Sequence, residues 1–213
     1  MDSEYIDYEW PKENKEQILP SFFESVIATP RSKILDIGCG TGWITSQLSE
    51  SADYVLGIDN DPYMIERARR ENARENIDYK LKEIGDIGDI NDNFDLGVST
   101  LAIQMLGSQK NLEKMLREIP VKKLIMVVPH PVTIDRKEPY LKYDFSEDFN
   151  YHNGGSYQVW LDNGKGGISF KSNHMPLKSY VNAVANSDFQ INELKELGGN
   201  RFPYFLQLNL EKR

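Results

Sequence analysis

Lys33-Ile34-Leu35-Asp36-Ile37-Gly38-Cys39-Gly40-Thr41-Gly42 is the stretch that decides the fold. A short, largely apolar run ending in glycines at alternate positions reads as a buried strand feeding a tight turn. Glycines there let the main chain reverse sharply and let a ligand lie against bare backbone. Residues 41–50 follow with Ile44 and Leu48 on one side, which predicts a helix. Its first N–H groups would point at whatever occupies the crevice.

The same rhythm repeats outward from this turn. Residues 54–58 read as a second buried strand, and Asp61-Pro62 opens a helix to about residue 76, with aspartate as cap and proline in the first turn. Residues 79–84 and 94–99 supply a third and fourth strand. Leu112, Met115, Leu116 and Ile119 mark a helix, and residues 124–128 a fifth strand. Strands alternating with helices imply parallel pairing through right-handed crossovers, hence an α/β, doubly wound sheet. Upstream, the apolar stripe Ile18, Leu19, Phe22, Phe23, Val26, Ile27 predicts a helix over residues 14–29, with Pro20 near its start or at a kink.

The rhythm changes after Pro129. Residues 157–161 and 168–171 flank Asp162-Asn163-Gly164-Lys165-Gly166-Gly167 and read as a β-hairpin with a glycine-rich turn. Pro176, Leu177, Tyr180, Val181 and Val184 mark a last helix, and residues 189–194 and 205–210 two closing strands. The expectation is one domain: a lid and helix over 1–30, a core over 31–129, a covering insertion over 130–175, and a final helix and strands over 176–213.

Composition narrows the partners. The 213 residues carry 33 acidic against 25 basic side chains, a formal net charge of -8. Nucleic-acid affinity rests largely on phosphate neutralisation, so this balance argues against RNA or DNA. Cys39 is the only cysteine, which excludes an intrachain disulfide and an all-cysteine metal site. Residues 1–10 are acidic and aromatic, unlike a signal peptide, and no apolar run approaches the roughly 20 residues that span a bilayer. A cytoplasmic protein with no membrane association is the expectation.

The second strand ends in Ile58-Asp59. Ligands of open α/β sheets bind at the carboxyl ends of the strands, beside the switch point. A carboxylate there can accept both hydroxyls of an adenosine ribose, each charge-assisted bond contributing about 1.5–3 kcal/mol. The competing role, capping the next helix, is already met by Asp61. A nicotinamide site would want Gly-x-Gly-x-x-Gly, whereas the glycines stand at 38, 40 and 42 and Trp43 takes the place of the helix-packing glycine. No Gly-Lys-Ser/Thr follows, so the turn is not a P-loop.

Residues 33–106 resemble the core of the class I S-adenosylmethionine-dependent methyltransferases, in the ubiquinone-methyltransferase-like group. LDIGCGTG resembles the family's first motif, GIDNDPYMIERAR the acidic segment after it, and NFDLGVS the fourth strand. Fainter likeness runs through VVPHP, HMPLKSYVNAVANSDFQINEL and FPYFLQLNLEK. The resemblance implies a Rossmann-like, seven-stranded, mostly parallel sheet with an antiparallel last strand and a β-hairpin insertion after strand five. It implies S-adenosylmethionine as cofactor, with Asp36, Gly38, Gly40 and Gly42 at its methionine and ribose end, Asp59 on the ribose diol and Asn60 along the adenine. Glu83 and Ile84 fall where the adenine-binding pair is expected, with Asp86-Ile87 as the alternative. Ser99, Thr100 and Leu101 would border the methionine portion.

In-line transfer of a methyl group depends mainly on positioning, and a base is needed only where the acceptor must lose a proton. His130, directly after strand five, is the first candidate for that base, ahead of His152 and His174. Tyr8, the second catalytic candidate beside His130, would with Tyr5 and Trp10 belong to a lid over the cofactor. Tyr140, Tyr143, Tyr151, Tyr157 and Trp160 would wall an acceptor pocket, pointing to a small-molecule N or O acceptor. A protein or tRNA acceptor and a non-catalytic binding subunit are the alternatives. Ser99-Thr100-Leu101-Ala102 replaces the Asp/Asn-Pro-Pro-Tyr of base-modifying amino-methyltransferases, and no metal-ligand cluster has recognisable spacing.

Overall fold

The computed structural model describes residues 12–27, 33–133, 141–147, 149–162, 168–199 and 201–213. The first strand, β1 (Lys33–Ile37), lies between β2 (Tyr54–Asp59) and β4 (Phe94–Thr100), parallel to both. From β1 the chain runs outward to β2 and β3 (Ile77–Leu81), then returns to β4 and β5 (Val121–Pro129) on the other side. β9 (Phe189–Leu197) and β10 (Phe205–Lys212) complete the order β3-β2-β1-β4-β5-β10-β9, with β10 antiparallel to both neighbours. The direction of winding therefore reverses between β1 and β4, where a crevice opens above the strand ends.

Alternation along these strands feeds two cores. Leu35 and Ile37 of β1, with Leu56 and Ile58 of β2, face α4 (Gln109–Glu118) and α5 (Leu177–Ala185). Ile34, Val55, Leu96 and Val98 face the opposite layer of α1 (Lys12–Ile27), α2 (Trp43–Leu48) and α3 (Pro62–Glu71). Both faces are covered, which is why these strands read as near-continuous apolar runs. Asp61 caps α3, its side chain accepting from the Tyr63 N–H at 2.8 Å with Pro62 next in line. α1 packs on β5, β9 and β10, and Pro20 sits in mid-helix, not near its start.

Two segments depart from the sequence reading. The third strand begins at Ile77 and ends at Leu81, so Glu83 stands in the following loop and Ile84 opens a 3-10 turn over Ile84–Asp89. The insertion is a three-stranded antiparallel sheet, not a hairpin alone: β6 (Leu141–Phe145) pairs with β7 (Gly155–Leu161), which pairs with β8 (Ile168–His174). Its apolar face gathers Leu141, Tyr157, Val159 and Leu161, with Phe145 and Phe149 packed beside Tyr157 at ring-centroid distances of 5.3 and 6.2 Å. The small sheet is tied to the 3-10 turn after β4 by Asn173 Nδ2, which donates to the Met105 carbonyl at 3.1 Å.

Candidate active site

Three glycines take left-handed backbone at the end of β1, with φ of 72° at Gly38, 54° at Gly40 and 77° at Gly42. Gly38 and Gly40 serve different ends. A Cβ on Gly38 would collide with Ala102, so this glycine lets the β4 end close over the turn. A Cβ on Gly40 would meet nothing within 4 Å, so its main chain faces open space where a ligand can approach. Gly42 is the N-cap of α2 and packs under the Tyr79 ring. The turn is pinned to the second strand by the N–H groups of Gly38 and Cys39, which donate to the Ile58 carbonyl at 2.8 and 2.9 Å.

Asp59 stands at the end of β2 with one carboxylate oxygen accepting the Gly40 N–H at 2.8 Å and the other the Asp61 N–H at 3.0 Å. Each oxygen keeps a second lone pair for a ligand. Burial raises its pKa, opposed by those backbone N–H groups. Asp36, one strand over, is buried with only Thr45 Oγ1 donating to it at 2.6 Å, and burial pushes its pKa up to about 7. The Cys39 thiol beside them is also raised, first by burial and then by these two carboxylates. Asn60 Nδ2 donates to both carboxylate oxygens of Glu83, at 3.3 and 3.2 Å, joining the ends of β2 and β3.

These groups line one end of a cavity of about 660 Å³. Asp36, Gly38, Gly40, Asp59, Asn60, Glu83 and Ile84 all border it. Asp86, the alternative to Glu83, does not: it is exposed and paired with Lys114 at 3.0 Å. Gly42 is set back against Tyr79 and does not border the cavity. Ser99 also departs from expectation. It is fully buried and its hydroxyl donates to the Ile37 carbonyl at 2.9 Å, because its position on β4 aims it at β1 and leaves Thr100, Leu101 and Ala102 at the cavity.

The other end is apolar. Leu141, Tyr143, Tyr157, Val159, Leu161 and Phe170 of the small sheet face Met105 and Leu106, with Pro129, Tyr204 and Phe205 closing the side. Tyr143 and Tyr157, of the tyrosines singled out from the sequence, border the cavity. Trp160, on the outward-facing alternation of β7, is 53% exposed. Tyr151 turns away, its hydroxyl accepting the Leu177 N–H at 3.2 Å. Tyr5, Tyr8, Trp10 and Tyr140 lie outside the described residues.

Of the three histidines only His130 borders the cavity. Its Nδ1 accepts the Val132 N–H at 3.3 Å and its Nε2 pairs with Glu196 at 3.0 Å. An Nδ1 that accepts fixes the proton on Nε2, so neither nitrogen offers a free lone pair, and the expected general base is a wall residue in this arrangement. His152 is exposed, and His174 is buried against the Tyr151 carbonyl at 3.1 Å. Sequence reasoning missed Asn14, Lys15, Met64 and Gln104. Gln104 had a signal, as the one polar residue in Ala102-Ile103-Gln104-Met105-Leu106 directly after a strand end.

The family of methyltransferase domains matches residues 34–120, from β1 to the end of α4. Residues 34–120 therefore carry a methyltransferase domain, and the chain is similar to class I S-adenosylmethionine-dependent methyltransferases. The chain is 36% identical over 92 residues to the ribosomal protein L11 methyltransferase of Thermosipho africanus, covering 42% of this chain and 35% of that one. It thus spans about a third of that relative's length. It is 26% identical over 139 residues to the "Probable cobalt-precorrin-6B C(15)-methyltransferase (decarboxylating)" of Methanococcus maripaludis strain C7, covering 63% and 72% of the two chains. The fold is that of an S-adenosylmethionine-dependent methyltransferase from Clostridium acetobutylicum, with a TM-score of 0.68 at 15% identity and 97% and 93% of the chains covered.

S-adenosylmethionine fits what the chain presents at this cavity. Gly40 offers open main chain, and Asp59 keeps acceptor capacity on both oxygens beside it. Among the described residues no group of three or more His, Cys, Asp or Glu could hold a metal ion, and no helix is long and apolar enough to cross a membrane.

Proposed function

We propose that the chain methylates a small, largely apolar organic acceptor at nitrogen or oxygen. The observation that carries this reading is the two-ended cavity, with carboxylates and bare glycine backbone at one end and an aromatic and aliphatic wall at the other. Bound S-adenosylmethionine supplies an electrophilic methyl group. Asp59 accepts the ribose diol, the Asn60–Glu83 pair runs beside the adenine with Ile84 on the ring, and Asp36 with the Gly38–Gly40 turn holds the methionine and ribose end. Met105, Leu106, Tyr143, Tyr157 and Phe170 exclude water and set the acceptor's pose, which is where positional catalysis gets its advantage.

Size supports a small acceptor. Cavities for drug-sized ligands run to about 300–1,000 Å³. Here cofactor and acceptor share about 660 Å³. The formal charge of -8 weighs against a tRNA acceptor. The test is calorimetric titration with S-adenosylmethionine and S-adenosylhomocysteine, with NADH as control, followed by a screen of amines, phenols and carboxylic acids for release of S-adenosylhomocysteine. Micromolar binding of the first two and turnover of a small acceptor is the expected result. Absence of cofactor binding overturns the reading, and turnover only of a protein such as a ribosomal subunit overturns its small-molecule part.

A further inference from the structure

Asp36 stands on the central strand β1, in register with Gly57 of β2 and Val98 of β4. Alternation along the strand puts its side chain on the face of Ile34, towards the layer of α1, α2 and α3. It is 1% exposed and borders the cavity. Its Oδ2 accepts the Thr45 hydroxyl at 2.6 Å. Its Oδ1 has no partner among the described residues and, unlike the amide oxygen of Gln104, is not sealed from solvent. A carboxylate can accept about four hydrogen bonds, so most of this capacity is left for a ligand in the cavity.

Thr45 is fully buried and does not border the cavity, so it acts on a ligand only through Asp36. It stands in the first turn of α2, and its carbonyl accepts the Ser49 N–H at 3.1 Å. A threonine inside a helix commonly turns its hydroxyl to the carbonyl four residues before it. Here that carbonyl, of Thr41, takes Asn72 Nδ2 at 2.8 Å, and the Asn72 carbonyl takes the Tyr79 hydroxyl at 2.9 Å. The Thr45 hydroxyl turns to β1 instead, and its one proton goes to Asp36. That bond fixes how the carboxylate is turned. It also favours the charged form against burial, which pushes the Asp36 pKa up to about 7.

We propose that Thr45 is a positioning residue for the cofactor: by holding one oxygen of Asp36 it keeps the other turned to the ammonium group of the cofactor's amino-acid arm. This rests on the reading of Asp36 at the methionine end given above and deepens it. A hydrogen bond between charged groups is about twice as strong as a neutral one, and it gains most where its geometry is set before the ligand arrives. The adenine and ribose are met by Asn60, Glu83 and Asp59 in that reading, so their binding does not depend on Thr45.

The test compares S-adenosylhomocysteine with 5′-methylthioadenosine, which keeps the adenine and ribose and lacks the amino-acid arm. The ratio of their affinities for the full chain, measured by calorimetry at neutral pH, isolates that arm. Thr45→Val, close in shape and without the hydroxyl, should cut the preference for S-adenosylhomocysteine about three- to tenfold, with 5′-methylthioadenosine bound within about twofold of wild type. Thr45→Ser, which restores the hydroxyl, should bring the preference back. In an Asp36→Asn background, where the preference is already reduced, Thr45→Val should reduce it no further. An unchanged preference in Thr45→Val overturns the proposal, and so does an equal loss for both ligands, the mark of a merely structural role. A further fall in the Asp36→Asn background overturns it as well. Thr45→Ala makes the same comparison should valine fail to pack. These outcomes leave Asp36 at the methionine end, whereas an unchanged preference in Asp36→Asn alone removes it from there and takes the proposal with it. Absence of binding of either ligand by the wild type overturns the cofactor reading itself.

Discussion

Two carboxylates at the ends of adjacent strands, Asp36 and Asp59, have opposite reasons to be buried. Asp59 is stabilised as a carboxylate by two backbone N–H groups, which suits a residue that must accept from a ligand. Asp59→Ala should weaken S-adenosylhomocysteine binding by about 10- to 100-fold, the equivalent of two lost hydrogen bonds, with the fold intact by circular dichroism. Asp36 has only the Thr45 hydroxyl, and burial lifts its pKa from the usual 3.8 of an aspartate to about 7. A carboxyl that holds its proton more tightly when folded favours the folded state at low pH. Stability then falls as pH rises from about 4 to 7, by at most about 4 kcal/mol from this group. Asp36→Asn, which keeps an oxygen for Thr45 and cannot ionise, should therefore be more stable than wild type in urea at pH 8. The gap should shrink steadily towards pH 4, and a pH-independent gap would remove Asp36 as its cause.

At the scale of elements, α1 contains a contradiction between sequence and structure. Pro20 is exposed in the middle of a sixteen-residue helix, where it supplies no N–H to the turn before it. The helix forms because Ile18, Phe22 and Val26 bury completely or nearly so against the sheet. Pro20→Ala should restore that bond and raise stability by about 1–3 kcal/mol, less what proline contributes by stiffening the unfolded chain. Thermal unfolding reads this directly. The strands of the main sheet were legible for a related reason: burial on both faces writes continuous apolar runs such as Leu124 to Val128. β6 was not, because Leu141-Lys142-Tyr143-Asp144-Phe145 alternates over only five residues and its partner strand lies beyond a long connection. The same contrast runs through the candidate site. Asp36, Gly38, Gly40 and Asp59 sit in a local motif whose spacing is its signal, whereas Gln104, Asn14 and Tyr204 meet the cavity only through tertiary packing. Ser99 and His130 show the limit of a local reading, because sequence places a residue at a strand end without saying which way its side chain is aimed or which partners it has already taken.

At the scale of the whole molecule, the cavity is where the two layers and the small sheet converge. The main sheet supplies strand ends, α1 supplies Asn14 and Lys15, and β6 to β8 supply the apolar roof. A ligand that fills it contacts segments far apart in sequence, so its binding energy couples them. At 100 times its dissociation constant, S-adenosylhomocysteine should add about 2.7 kcal/mol to unfolding, a rise of about 5–11 °C in midpoint for a chain of this size. The size of that rise depends on affinity alone, whereas its breadth across the structure depends on connectivity. Hydrogen exchange should therefore slow in the 38–42 turn, at the end of β2 and in α1 together, and each should lose that protection in Asp59→Ala at the same ligand concentration. Protection confined to the turn and β2 would show that α1 does not close on the cofactor, and that the cavity is joined in shape but not in energy.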